Sequence, residues 1–131
     1  MHKFALEKID EITGKQVFEK LLIDDSCQFD EFIKEVSLNK RYNKEVGKLY
    51  AYMEHVANIK LLPNTKYKPL KPTKNSKVDE YEFKTKNLRV YCIKKAGGKL
   101  IILGGYKNHQ PGDLRRLRSI IADLIKQDII K

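Results

Sequence analysis

The residues best suited to chemistry lie between positions 84 and 109. Lys84, Lys86, Arg89, Tyr91, Lys94 and Lys95 come first, then Tyr106, Lys107 and His109. Cations interleaved with tyrosines suit a surface that meets a polyanion, the cations taking phosphates and the rings taking unstacked bases. Other familiar chemistry is missing. No Gly-rich phosphate loop ends in Lys-Ser or Lys-Thr, and Gly97-Gly98 and Gly104-Gly105 read as turn and strand-end glycines. His2, His55 and His109 lack metal-ligand spacing, and Cys27 and Cys92 read as small packing residues. Acids are too sparse in this half for a two-metal nuclease. The expectation is a site with no metal and no cofactor.

Composition points the same way. The chain has 131 residues, 27 Lys and Arg against 17 Asp and Glu, and a formal charge of +10. Residues 60–118 hold sixteen of the bases but only four acids, Asp79, Glu80, Glu82 and Asp113, whereas the first 59 residues are slightly acidic. A basic excess confined to one half is the footprint of a surface facing nucleic acid or the ribosome. At 41% hydrophobic and 34% charged residues the chain is too apolar to be disordered and too polar for a membrane protein. The opening Met1-His2-Lys3-Phe4-Ala5-Leu6-Glu7-Lys8 lacks the apolar run of a secretory leader, so a reduced, cytoplasmic protein with no membrane contact is expected. A length of 131 residues suits one domain, residues 1–131.

The elements that must position these residues are legible in outline. Phe4 and Leu6 alternate with Ala5 and Glu7, Thr13-Gly14 supplies a turn, and Gln16–Ile23 forms a second strand. Any of Asp24, Asp25 and Ser26 suits the cap of a helix bearing Phe29, Phe32, Ile33 and Val36. A longer helix after Asn43 sets Val46, Leu49, Tyr50, Met53, Val56 and Ala57 on one face, and the two helices are expected to pair. From Leu62 to Val78, three prolines and many lysines argue for an exposed, mobile basic loop without regular structure. Tyr81–Thr85 and Leu88–Lys95 are strands joined by a turn at Lys86-Asn87, and Lys99–Tyr106 is apolar enough to be a central strand. Pro111 opens a last helix with an apolar stripe from Leu114 to Ile125. The order β-β-α-α-β-β-β-α gives an α+β fold with an antiparallel-rich twisted sheet, a packed helical pair and a C-terminal helix.

The run from Tyr81 to Tyr91, a glycine turn, and then Leu100 to His109 resembles the RelE/HigB-type toxins of type II toxin–antitoxin systems, within the RelE/ParE superfamily. The likeness is carried by residues 80–110, with the helical pair placed as in that family. It implies a RelE-like fold and an endoribonuclease that cuts mRNA, dependent on the ribosome and its rRNA, and neutralised by a cognate antitoxin. On that resemblance Arg89 contacts the scissile phosphate, while Lys84, Lys107 and His109 complete the catalytic set. Lys86, Tyr91, Tyr106 and Lys94 fall to substrate binding. Glu82 stands where some members carry a second base, and no counterpart of their C-terminal tyrosine is evident.

The implied chemistry needs no metal. A ribose 2′-OH can attack the adjacent phosphate once a base takes its proton, cations stabilise the phosphorane, and an acid protonates the leaving 5′-oxygen. Arginine offers a fixed fork to phosphate oxygens, crowded lysines have lowered pKa values, and histidine titrates near neutrality. The superfamily resemblance leaves two alternatives open: a ParE-like inhibitor of DNA gyrase, and a non-catalytic module that binds RNA or protein.

Overall fold

Alternation of half-buried Phe4 and Leu6 with exposed neighbours makes β1 (Phe4–Lys8), which pairs antiparallel with β2 (Val17–Ile23). A computed structural model describes residues 1–73 and 77–130; Lys74, Asn75 and Ser76 of the basic stretch, and Lys131, lie outside the described residues. The link between β1 and β2 is longer than the expected turn at Thr13-Gly14, because Ile9 and Ile12 dip into the core before the chain returns.

The first helix, α1 (Gln28–Ser37), starts one residue beyond the expected caps. Asp24 and Asp25 adopt left-handed backbone angles, φ 50° and 67°, and are used up in the turn out of β2. Capping passes to Cys27, whose Sγ accepts from the Asp30 N–H at 3.4 Å. The second helix, α2 (Lys44–Ala57), buries Leu49, Met53, Val56 and Ala57, and its Tyr50 meets Phe29 of α1 edge-on.

The basic stretch is not wholly irregular. Tyr67–Pro69 forms a short strand, β3, antiparallel to β4 (Glu80–Lys84). A proline is tolerated because β3 is the sheet's edge, and Tyr67 is held by its ring contacts with Tyr81 and Phe83. The strands β5 (Leu88–Lys95) and β6 (Gly98–Tyr106) follow as an antiparallel pair. The sheet order is β1-β2-β6-β5-β4-β3, so β6 is interior and the first hairpin extends the sheet. β2 and β6 run parallel, the chain having crossed over through both helices; the other neighbours are antiparallel.

The described residues therefore form an α+β architecture with a six-stranded mixed sheet and three α-helices. One sheet face, with Phe18, Phe83, Leu88, Val90, Cys92 and Ile101, packs against α1 and α2. The other, with Leu21, Tyr91, Ile93, Leu100, Ile102 and Leu103, packs against α3 (Gln110–Lys126) through Leu117, Ile120, Ile121 and Leu124. Tyr91 pairs with Leu103 but Cys92 pairs with Ile101, which leaves Ile102 as an extra residue in β6. This bulge reverses which face the rest of β6 presents. Gly104 then lies against the Phe32 ring of α1 and Gly105 against the Asp113 carboxylate of α3, and a β-carbon at either would collide. The two glycines are thus points of close helix approach on opposite faces, not merely strand-end residues.

Among the described residues, no helix is long and apolar enough to cross a membrane.

Candidate functional site

The β4–β5 turn is held from α2 by a residue the sequence pattern did not single out. Glu45 is 8% exposed; its carboxylate accepts from the Thr85 hydroxyl and from the Asn87 backbone N–H and side-chain amide, both at 2.8 Å. Burial alone would raise its pKa, but these hydrogen bonds and nearby Lys48 outweigh burial and hold it below the ordinary glutamate value. A helix heptad count offers no cue for this role. The only available signal was an acid next to the apolar stripe of α2.

The clamped turn sets two bases side by side. Lys84 and Arg89 are cross-strand partners, on the sheet face covered by α3. Arg89 is only 8% exposed: one Nη donates to the Thr85 carbonyl at 2.7 Å and the Leu88 carbonyl at 2.8 Å, while Nε is buried without a hydrogen bond. Lys84 is half-buried, and its pKa lies below the usual lysine value through burial first and then repulsion from Lys68, Arg89 and Lys107, with Glu82 opposing. Lys68 joins from β3, its Nζ 3.9 Å from Glu82. It was missed because the basic stretch was read as a loop.

Glu82 itself is 2% exposed and accepts from the Gln110 side chain at 2.6 Å, tying β4 to the first turn of α3. In that turn Asp113 stands over Gly105 with one carboxylate oxygen buried and unbonded. Burial raises its pKa, against the pull of His109 and Arg116. A carboxyl in this state can hold or release a proton nearer neutrality than a solvated one.

The other predicted residues are distributed differently from the expectation. Tyr91 is 0% exposed in the core beneath α3 and is not available to stack on a base; burial, then Asp113 and Glu82, push its hydroxyl pKa up. Tyr106 faces α1, where its hydroxyl donates to Glu35 at 2.7 Å and its ring meets Phe32, Tyr42 and His109. It thus lies across the sheet from Arg89, on the face to which the bulge turns it. Lys107 and His109 are exposed in a single 3-10 turn, Lys107–His109, whose first N–H donates to Asn87 of the β4–β5 turn. Lys86 is exposed in that turn. Lys94 lies five residues along β5 from Arg89, about 17 Å away at strand spacing, and does not join the cluster.

Lys84, Arg89 and Lys107, with Lys86 at the rim, therefore make one basic end of the sheet; His109 lies next to Asp113 with its ring against Tyr106, in a cleft shared with Glu35 and Arg116. Such a basic grouping can bind and polarise a phosphodiester. Among the described residues, no three His, Cys, Asp or Glu side chains are grouped to hold a metal ion. No protein-family model, no curated protein and no solved structure matches this chain.

Proposed function

We propose that the protein is a toxin-like endoribonuclease of RelE type, cutting mRNA at the Lys84–Arg89–Lys107 end of the sheet. The observation that carries this reading is the crowding of Lys68, Lys84, Arg89 and Lys107 around one strand end, with Lys84 held below its ordinary pKa. The helical pair on one face and the C-terminal helix on the other agree with the fold that the resemblance implies. In the proposed reaction the ribose 2′-oxygen forms a new bond to phosphorus and the bond to the 5′-oxygen breaks. One proton leaves the 2′-oxygen and another reaches the 5′-oxygen. Lys84 and Lys107 meet the phosphate, Arg89 behind them stabilises its added charge, and His109 or Asp113 serves in proton transfer. The same basic end suits an rRNA-lined site, a cytoplasmic setting, and masking by an acidic antitoxin segment.

Transcript cleavage mapped after induction tests the reading. Cuts are expected with wild type, and Lys84→Ala, Lys107→Ala and His109→Ala should each slow cleavage by ~10²–10³. Arg89→Lys should also be impaired, since the fork is lost while the charge stays. Full-rate cleavage by all of these variants would refute the site. Gyrase-linked DNA breaks without mRNA cuts would select the ParE-like alternative. Arg89 also bonds the Thr85 and Leu88 carbonyls, so Arg89→Ala is expected to lose stability as well as activity.

A further inference from the structure

We propose that the protein carries a second phosphate-binding site, built around Lys99 at the far end of the sheet from Arg89 and on the opposite face. Lys99 lines a cleft of about 1090 Å³, together with Gln16, Tyr81, Lys94, Gly97 and Gly98. The side chain is only 7% exposed, and lysines are rarely that buried without an acid partner. Among the described residues Lys99 makes no ion pair; its ammonium sits 5.5 Å from the centre of the Tyr81 ring. Cation–π attraction offsets only part of the cost of removing a charge from water.

Cations outnumber acids around the cleft: Lys68, Lys71, Lys77, Lys94 and Lys95 join Lys99 there, against Asp79 and Glu80. The cross-strand partner of Lys99 is Lys94, an exposed cation that adds to the positive field. Burial, and then Lys94, lowers the Lys99 pKa, opposed by Cys92. Of the acids bordering the cleft, Glu80 is engaged by Arg118 at 3.4 Å, and Asp79 forms no ion pair among the described residues. The Gln16 amide oxygen is buried without a hydrogen-bond partner, and the same amide turned over would donate to an anion. Two ammonium groups and an amide around one cleft match the several acceptor oxygens of a phosphoryl group. This site does not depend on the Lys84–Arg89 end being a nuclease.

Two probes distinguish the source of the phosphoryl group: inorganic pyrophosphate, and a fluorescent single-stranded oligoribonucleotide without terminal phosphates. Binding of either to wild type is expected, the oligonucleotide alone indicating a nucleic-acid backbone and pyrophosphate alone a free phosphate ligand. Lys99→Met should weaken that binding by roughly ten- to a hundredfold, and Lys99→Arg should retain most of it. Lys94→Ala, at an exposed position where folding is not at risk, should weaken it a few-fold. Lys107→Ala, at an exposed position of the proposed nuclease end, should leave intact the share of pyrophosphate binding that Lys99→Met removes, which separates the two sites. Without ligand, Lys99→Met should melt at least as high as wild type, since a partly desolvated charge with no acid partner among the described residues is gone. Failure of wild type to bind either probe, or undiminished binding by both Lys99→Met and Lys94→Ala, would overturn the proposal.

Discussion

Replacing Glu45 with alanine tests whether the α2 clamp sets the β4–β5 turn. The substitution removes the acceptor for three donors, the Thr85 hydroxyl and the Asn87 N–H and amide. A fully buried orphaned donor costs ~1–3 kcal/mol, but water can reach the half-exposed turn, so the expected total is about 2–3 kcal/mol. For a chain of 131 residues the unfolding entropy is about 0.28 kcal/mol/K, which converts that loss to a fall in Tm of roughly 7–11 °C. Because the folded-state pKa of Glu45 is depressed, its contribution is fully present above the ordinary value of 4.5 and is lost as pH falls through the lower, folded value. The gap between wild type and Glu45→Gln should therefore be constant near neutrality and close in acid. Thermal melts across that range measure both effects. A Glu45→Ala melting point within ~2 °C of wild type, or a gap to Glu45→Gln that persists at low pH, would refute the clamp.

Two further outcomes follow from the α3 side of the sheet. Gly105→Ala drives a β-carbon into the Asp113 carboxylate, which must swing aside, so it should cost about 1 kcal/mol, the low end for overpacking. Amide exchange should quicken most in the first turn of α3, and unchanged exchange there would contradict the close approach. Tyr91→Phe removes a buried hydroxyl that makes no well-formed hydrogen bond, so its unfolding free energy should stay within about 1 kcal/mol of wild type and RNA cleavage should persist. Loss of cleavage in a folded Tyr91→Phe protein would show that the hydroxyl reaches the substrate.

The sequence by itself determined the main elements and their order. Apolar spacing marked α1, α2 and α3, the reversal of parity at Lys86-Asn87 separated β4 from β5, and the uninterrupted Leu100–Leu103 run placed β6 inside the sheet. It also confined the basic excess to the half that carries Lys84, Arg89 and Lys107. These are local or compositional signals, and they survive folding because each element buries the face its own period defines. Tertiary structure alone decided which of the candidate residues meet. The continuous apolar run of β6 has no alternation to reveal the extra residue Ile102, so Tyr106 could not be assigned to the face away from Arg89. Tyr91 was drawn into the core because α3 covers that face. The Glu45 clamp and the isolation of Lys99 likewise depend on partners distant in the chain. Only packing brings such partners together, and no local period records it.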